Sequence, residues 1–148
     1  MSLNRDVASL TEDTRGMALE LIQRCERVGI KISIGEARRS KETQAVYYLR
    51  GRVNISDPKI TEAMQILGAY HAWPFTRKEV NKTVTWTLES NHLSGRAVDI
   101  LVYKKEGGLD WSGTSATWKT VLEIARSIGF TCGADWQKPD YPHLENRR

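Results

Sequence analysis

The chain is short of the residues that small proteins use for covalent stapling and membrane insertion. It has two cysteines in 148 residues, Cys25 and Cys132. Two are too few for a disulfide framework, and both are expected as buried, reduced thiols. No apolar run approaches the ~20 residues that cross a bilayer, which excludes a membrane-spanning helix. The opening Met1-Ser2-Leu3-Asn4-Arg5-Asp6 lacks the basic and then apolar stretches of a secretory leader. The chain is therefore expected to accumulate in the cytoplasm of the cell that makes it. Low-complexity segments are absent. Basic residues are scattered rather than striped, and no recognition-helix signature occurs, which argues against a nucleic-acid-binding module. The net charge of +4 suits an anionic partner, or is nothing more than a solubility charge. Hydrophobic residues at 40% and charged residues at 27% are ordinary for a globular protein. The length fits one domain over 1–148 rather than two.

Apolar periodicity predicts an amphipathic helix over 12–28, with Met17, Leu21, Ile22, Cys25 and Val28 apolar and Gly29 as its stop. Ile30-Lys31-Ile32-Ser33-Ile34 alternates as a half-buried strand. Ser40 is placed to cap a second helix that ends near Gly51. Asp57-Pro58 reads as a further helix start, with Trp73-Pro74 as its stop. Residues 84–87 and 97–103 read as strands, the latter central. Gly107-Gly108 and Ser112-Gly113 mark turns. A last helix is expected over 115–128, with Trp118, Val121, Leu122 and Ala125 apolar and Gly129 at its end. Helix–glycine–strand thus occurs twice, at 12–34 and 115–132. The order predicts an α+β fold, a small and mostly antiparallel sheet with flanking helices.

Histidine is scarce as well, and its placement is informative. Two of the three histidines lie in Ser90-Asn91-His92-Leu93-Ser94-Gly95-Arg96-Ala97-Val98-Asp99 and in Asp140-Tyr141-Pro142-His143, each with a carboxylate nearby. Two neutral imidazoles and one carboxylate are a standard ligand set for a catalytic Zn²⁺ whose fourth position is open to water. The second carboxylate is then free for general acid–base work. His92 and Asp99 are seven apart, so one unbroken strand would send them to opposite faces. The β-branched and aromatic run after Ala97 disfavours a helix. His92 is therefore expected on a loop or strand end, Gly95 at a reversal and Asp99 at the start of a buried strand. Pro142 bars a regular helix through Asp140 and His143, so these two converge from a bent segment. Cys132 is a minor rival as ligand. Taken alone, each histidine–aspartate pair is more often structural than metal-binding.

Ser90-x-His92-x-x-Gly95-x-Ala97-x-Asp99, followed by Gly133-Ala134-Asp135-Trp136 and Asp140-x-Pro142-His143, resembles the zinc D-alanyl-D-alanine carboxypeptidase, or VanY-like, peptidases. Within them it is similar to the phage endolysins that cut the L-alanyl-D-glutamate bond of peptidoglycan. Arg39-Ser40-Lys41-Glu42-Thr43-Gln44, running on to Tyr48 and Gly51-Arg52, resembles a third segment of that family. The resemblance implies a hedgehog/DD-peptidase-like fold with His92, Asp99 and His143 as zinc ligands. It implies Asp140 as the catalytic acid/base and Arg39 as the arginine that steadies the scissile carbonyl and its oxyanion. Ser90 and Gln44 match positions lining the site. The implied cofactor is Zn²⁺ and the implied partner the peptidoglycan stem peptide, with no nucleic acid, no stable membrane insertion and a monomeric chain. Two departures stand out. About forty residues separate Arg52 from His92, so 53–82 is expected to be an inserted helical flap. Cys132 stands where relatives often carry an aromatic residue before the Gly133 turn.

The bond that is cut stays open at this level. A carboxypeptidase needs a closed pocket with a cation for the terminal carboxylate, an endopeptidase a groove open at both ends. The lack of a leader favours a phage lysin acting on the wall after release over an exported D-alanyl-D-alanine carboxypeptidase. A zinc-holding module without catalysis is a third reading, against which the presence of both Asp140 and Arg39 speaks. Trp136 and Tyr141 flank the expected base and either line a pocket or simply pack.

Overall fold

The computed structural model describes residues 3–49, 58, 59, 62 and 90–147. Helix α1 spans Glu12–Arg27 and opens with Glu12 and Asp13, closing with Arg24 and Arg27, charges that complement the helix dipole at each end. Its buried face is Thr14, Met17, Ala18, Leu21 and Cys25, the i, i+3, i+4, i+7 spacing of a core-facing helix. Helix α2 is Lys41–Leu49, and Ser40 caps it by accepting the Thr43 N–H at 3.1 Å. Helix α3 is Ala116–Ile128; Ser115 accepts the Trp118 N–H at its start and Gly129 ends it at φ +117°. It buries Trp118, Val121, Leu122, Ala125 and Ile128, and α3 packs against α1.

Four strands follow the order β1-β2-β4-β3, every neighbouring pair antiparallel: β1 Ile32–Glu36, β2 Ala97–Val102, β3 Thr131–Cys132 and β4 His143–Glu145. The α+β expectation holds. The first strand, however, begins two residues later than its alternation predicts. Ile30 is taken up by the end of α1, where its N–H bonds the Cys25 carbonyl at 2.9 Å and that of Gly29 bonds Glu26 at 3.0 Å. This is the paired closure of a helix ending in a left-handed glycine, Gly29 having φ +79°. Phe130 and Gly129 repeat the same two bonds behind α3, which is the physical basis of the repeated helix–glycine–strand pattern.

Alternation sorts the sheet into two faces. Val98, Ile100 and Val102 join Ile32, Ile34, Cys132 and Leu144 in the core with the helices. Asp99 lies on the other face of β2 and is the register partner of His143, so the two side chains stand side by side. A bulge in β1 matters here. Ile34 pairs with Ile100, yet Glu36 pairs with Asp99, the register shifting between them. One extra residue, Gly35, thereby turns Glu36 from the helix face to the face of Asp99.

The expected flap at 53–82 and the strand at 84–87 lie outside the described residues, apart from 58, 59 and 62, which are helical. No helix among the described residues is long and apolar enough to cross a membrane.

Candidate functional site

His92 sits on the turn before β2. Ser90 braces that turn, its hydroxyl accepting the His92 N–H at 3.2 Å and its carbonyl the Leu93 N–H at 2.9 Å. Gly95 ends the turn at φ +73°, where a Cβ would press within 3.0 Å of the Ser9 carbonyl oxygen, so the reversal needs glycine on both counts. The N-terminal segment holds the turn from behind through Thr11 N–H to Gly95 O at 3.0 Å.

The turn delivers His92 onto the Asp99–His143 pair. His92 Nε2 lies 3.1 Å from His143 Nδ1 and 3.2 Å from Asp99 Oδ1, and His143 Nδ1 lies 3.4 Å from that same oxygen. The outer ring nitrogens fix the tautomers. His92 Nδ1 faces the Ala37 carbonyl at 2.9 Å and His143 Nε2 faces Glu145 Oε1 at 2.7 Å. A carbonyl and a carboxylate only accept, so each outer nitrogen carries a hydrogen, and the inner one is the atom that offers a lone pair once its proton is displaced. Two lone pairs and an anionic oxygen thus converge on one point. Ligands 2.0–2.1 Å from a tetrahedral zinc are about 3.3 Å apart, which is the size of this triangle. The residues fit a zinc ion in donor type, tautomer and spacing. His92, Asp99 and His143 are the one such group among the described residues. Cys132, the rival ligand, is buried in the core instead, against the Leu122 carbonyl.

Charge is tuned around the triangle. Burial works against ionised Asp99, but hydrogen bonds from His143 and His92 outweigh it and hold the carboxyl well below its ordinary range. Burial lowers the His143 pKa, yet bonds to Asp99 and Glu145 prevail and raise it to about 9. Glu145 is likewise opposed by burial and held down at about 2, first by His143 and then by Arg147. A cation on the triangle competes with a proton for the same lone pair.

Asp140 precedes His143 by three residues, and its carbonyl accepts the His143 N–H at 3.2 Å. Desolvation of its carboxyl, followed by the charge of Asp99, raises its pKa above the ordinary value, while His143, His92 and Arg39 pull it back. Asp99, His143, His92 and Arg39 are therefore within electrostatic reach of Asp140. Trp136 packs its ring 5.0 Å from that of His143. Tyr141 packs on the core and covers Gly113, where no side chain would fit.

Arg39 is joined to the turn by its N–H to the His92 carbonyl at 2.9 Å. Its guanidinium grips Glu36 with Nε at 3.1 Å and with Nη2. Nη1 donates to Gln44 Oε1 at 2.7 Å, and the Tyr47 ring lies 4.5 Å beneath. Three of its five N–H groups are so engaged among the described residues. Gln44, expected to line the site, is fully buried and holds this arginine. Arg38, its neighbour, instead reaches the Leu93 carbonyl at 3.1 Å. Glu36, Arg38, Arg39, Lys41 and Leu93 border a cavity beside the turn.

Sequence reasoning missed Glu145, Glu36 and the Ala37 carbonyl. Glu145 was within reach, since His143-x-Glu145 on a strand shares one face. Glu36 was hidden by the bulge, and a backbone carbonyl leaves no mark in a sequence.

Residues 83–146 match a family model described as D-alanyl-D-alanine carboxypeptidase. The chain is 40% identical over 65 residues to the peptidoglycan L-alanyl-D-glutamate endopeptidase CwlK of Bacillus subtilis, covering 38% of this chain and 39% of that protein. It is 28% identical over 142 residues to an L-alanyl-D-glutamate peptidase of a Listeria phage, covering 95% of this chain and 39% of that one. The chain thus spans about two-fifths of the length of these curated relatives. Among solved structures, the L-Ala D-Glu endopeptidase ChiX of Serratia marcescens aligns with a TM-score of 0.55 at 17% identity, covering 94% of this chain and 81% of that one. The LD-carboxypeptidase LdcB aligns with a TM-score of 0.58 at 18% identity, covering 92% and 58%. Both share the fold. The segment that contains His92, Asp99, Asp140 and His143 thus matches a model described as D-alanyl-D-alanine carboxypeptidase, and two curated proteins similar to this chain are L-alanyl-D-glutamate peptidases.

Proposed function

We propose that the chain is a zinc-dependent peptidoglycan peptidase of the endolysin type, hydrolysing the L-alanyl-D-glutamate bond of the stem peptide. The observation that carries this reading is the triangle of His92 Nε2, His143 Nδ1 and Asp99 Oδ1, with edges of 3.1 to 3.4 Å and every lone pair turned inward. His92, Asp99 and His143 would hold the metal. When bound, zinc supplies a Lewis acid for the scissile carbonyl and makes a water acidic enough to attack near neutral pH.

The chain's own groups do the rest. Asp140, with its raised pKa, is the more effective base for the attacking water and then returns the proton to the leaving amine. Arg39 stays cationic at any working pH, and its clamp on Glu36 and Gln44 fixes its planar fork before substrate arrives. Held rigid, a cation opposes the developing negative oxygen without reorganising. Ser90 keeps the His92 turn in place. The cations Arg38 and Lys41 beside the cavity suit the carboxylates of a stem peptide. The proposed setting is a monomer released from the cytoplasm onto the cell wall, with 1–148 acting as one catalytic domain.

The second reading, a D-alanyl-D-alanine carboxypeptidase, is favoured by the description of the matched family model. Digestion of purified peptidoglycan with and without chelator, followed by mass spectrometry, separates the two. New amino termini on D-glutamate support the endopeptidase, and free D-alanine supports the carboxypeptidase. Failure to release either product when one zinc is bound per chain would refute both.

A further inference from the structure

We propose that Glu145 is a positioning residue of the metal centre, setting the tautomer of His143 and strengthening it as a ligand. The inference rests on the zinc reading above and adds a residue to it. Glu145 stands two positions after His143 on β4, on the same sheet face. Its residue is 6% exposed, so a carboxylate here has given up most of its hydration and needs strong partners. Both oxygens have one: Oε1 meets His143 Nε2 at 2.7 Å and Oε2 meets Arg147 Nε at 2.7 Å. Its cross-strand neighbours, Ala97 and Thr131, bring no charge.

The consequence for His143 is chemical. With the hydrogen held on Nε2, Nδ1 is committed to presenting its lone pair to the triangle. A negative charge behind the ring also raises the basicity of that lone pair. The partner histidine is backed differently. His92 donates to the neutral carbonyl of Ala37, which fixes its tautomer without adding charge. The two imidazoles are therefore unequal, and His143 is the stronger donor because of Glu145. Arg147, an exposed side chain, meets only the oxygen that His143 does not use, so the charge behind the His143 ring stays when Arg147 is removed.

The test is zinc affinity, measured by competition with a chromophoric chelator, together with the visible spectrum of the cobalt-substituted protein. Glu145→Ala is expected to weaken zinc binding by about 10- to 100-fold and to change the cobalt ligand-field bands. Glu145→Gln keeps an acceptor oxygen without the charge and is expected to fall between Ala and wild type. Arg147→Ala disturbs the same strand end without touching His143 and is expected to stay within about threefold of wild type. An affinity for Glu145→Ala within that margin overturns the proposal; if that variant does not fold, wild-type affinity in Glu145→Gln does so. Equal losses in Arg147→Ala and Glu145→Ala also overturn it, since the effect would then be general loosening of the strand. A wild-type protein that binds no zinc is a separate result, and refutes the metal reading itself.

Discussion

Replacing Gly133 with alanine should damage the site without changing the identity of any residue of it. Gly133 begins the short turn Gly133–Asp135, and its carbonyl accepts the N–H of Asp140 at 2.9 Å and of Trp136 at 3.2 Å. A Cβ built there lands on the Asp140 carbonyl oxygen, far inside van der Waals contact, and 3.0 Å from His143 Cβ. Backbone cannot rotate away as a side chain can, so the 140–143 segment must move. Overpacking of this kind typically costs about 1–3 kcal/mol, or roughly 3–10 °C in melting temperature for a domain of this size. A shift on the order of 1 Å in a base or ligand can cost on the order of 10²-fold in rate. Gly133→Ala should therefore lose more activity than its stability loss explains. Thermal melting, zinc stoichiometry and peptidoglycan hydrolysis on the same preparation check this. A variant with wild-type melting and wild-type turnover would refute the claim that Asp140 and His143 are positioned through Gly133.

Asp140→Asn should retain zinc and fold while losing about 10²–10⁴-fold in hydrolysis; near wild-type turnover would remove Asp140 from the mechanism and make Asp135 the next candidate. Arg39→Lys keeps the charge but not the fork that grips Glu36 and Gln44, so turnover should fall at unchanged zinc content; Arg39→Ala, which leaves buried Glu36 unpaired, should also lose about 3–5 kcal/mol, read by denaturant unfolding. Gly16, on the exposed side of α1 with nothing near its absent Cβ, is a contrasting case: Gly16→Ala should stabilise by about 0.5–1 kcal/mol, and a lower melting temperature would contradict the packing described. Acidification should release zinc as protons take the inward lone pairs of His92 and His143, so dialysis near about pH 4, below the ordinary histidine range, that leaves zinc stoichiometric would argue against those ligands.

Much of this was legible in the sequence because its signals are local. Gly29 and Gly129 announced two helix ends, Ser40 the cap of a further helix, and the β-branched and aromatic run after Ala97 a buried strand. The spacing of His92, Gly95 and Asp99 implied a reversal between two ligands, and the structure has one there. What stayed hidden depends on register. The alternation of Ile30, Ile32 and Ile34 could not reveal that Ile30 closes a helix. Nor could it reveal that a bulge at Gly35 sends Glu36 to the face of Asp99, because a one-residue slip inverts every assignment beyond it. The clamp on Arg39 follows from that slip, so it too was invisible.

The inward atoms of the triangle come from positions far from equal in sequence separation: His92 lies seven residues from Asp99 and 51 from His143. An unfolded chain can keep the first pair together at small cost, but gathering the third means closing a long loop, with an entropy cost that grows with its length. A cation that needs all three atoms is therefore a ligand of the native state alone. Its contribution then follows mass action, about 2.7 kcal/mol at a hundredfold excess over its dissociation constant. Melting temperature becomes a gauge of free metal, a chelator acts as a denaturant, and the persistence of the fold depends on the ion supply around it as well as on the core between α1 and α3.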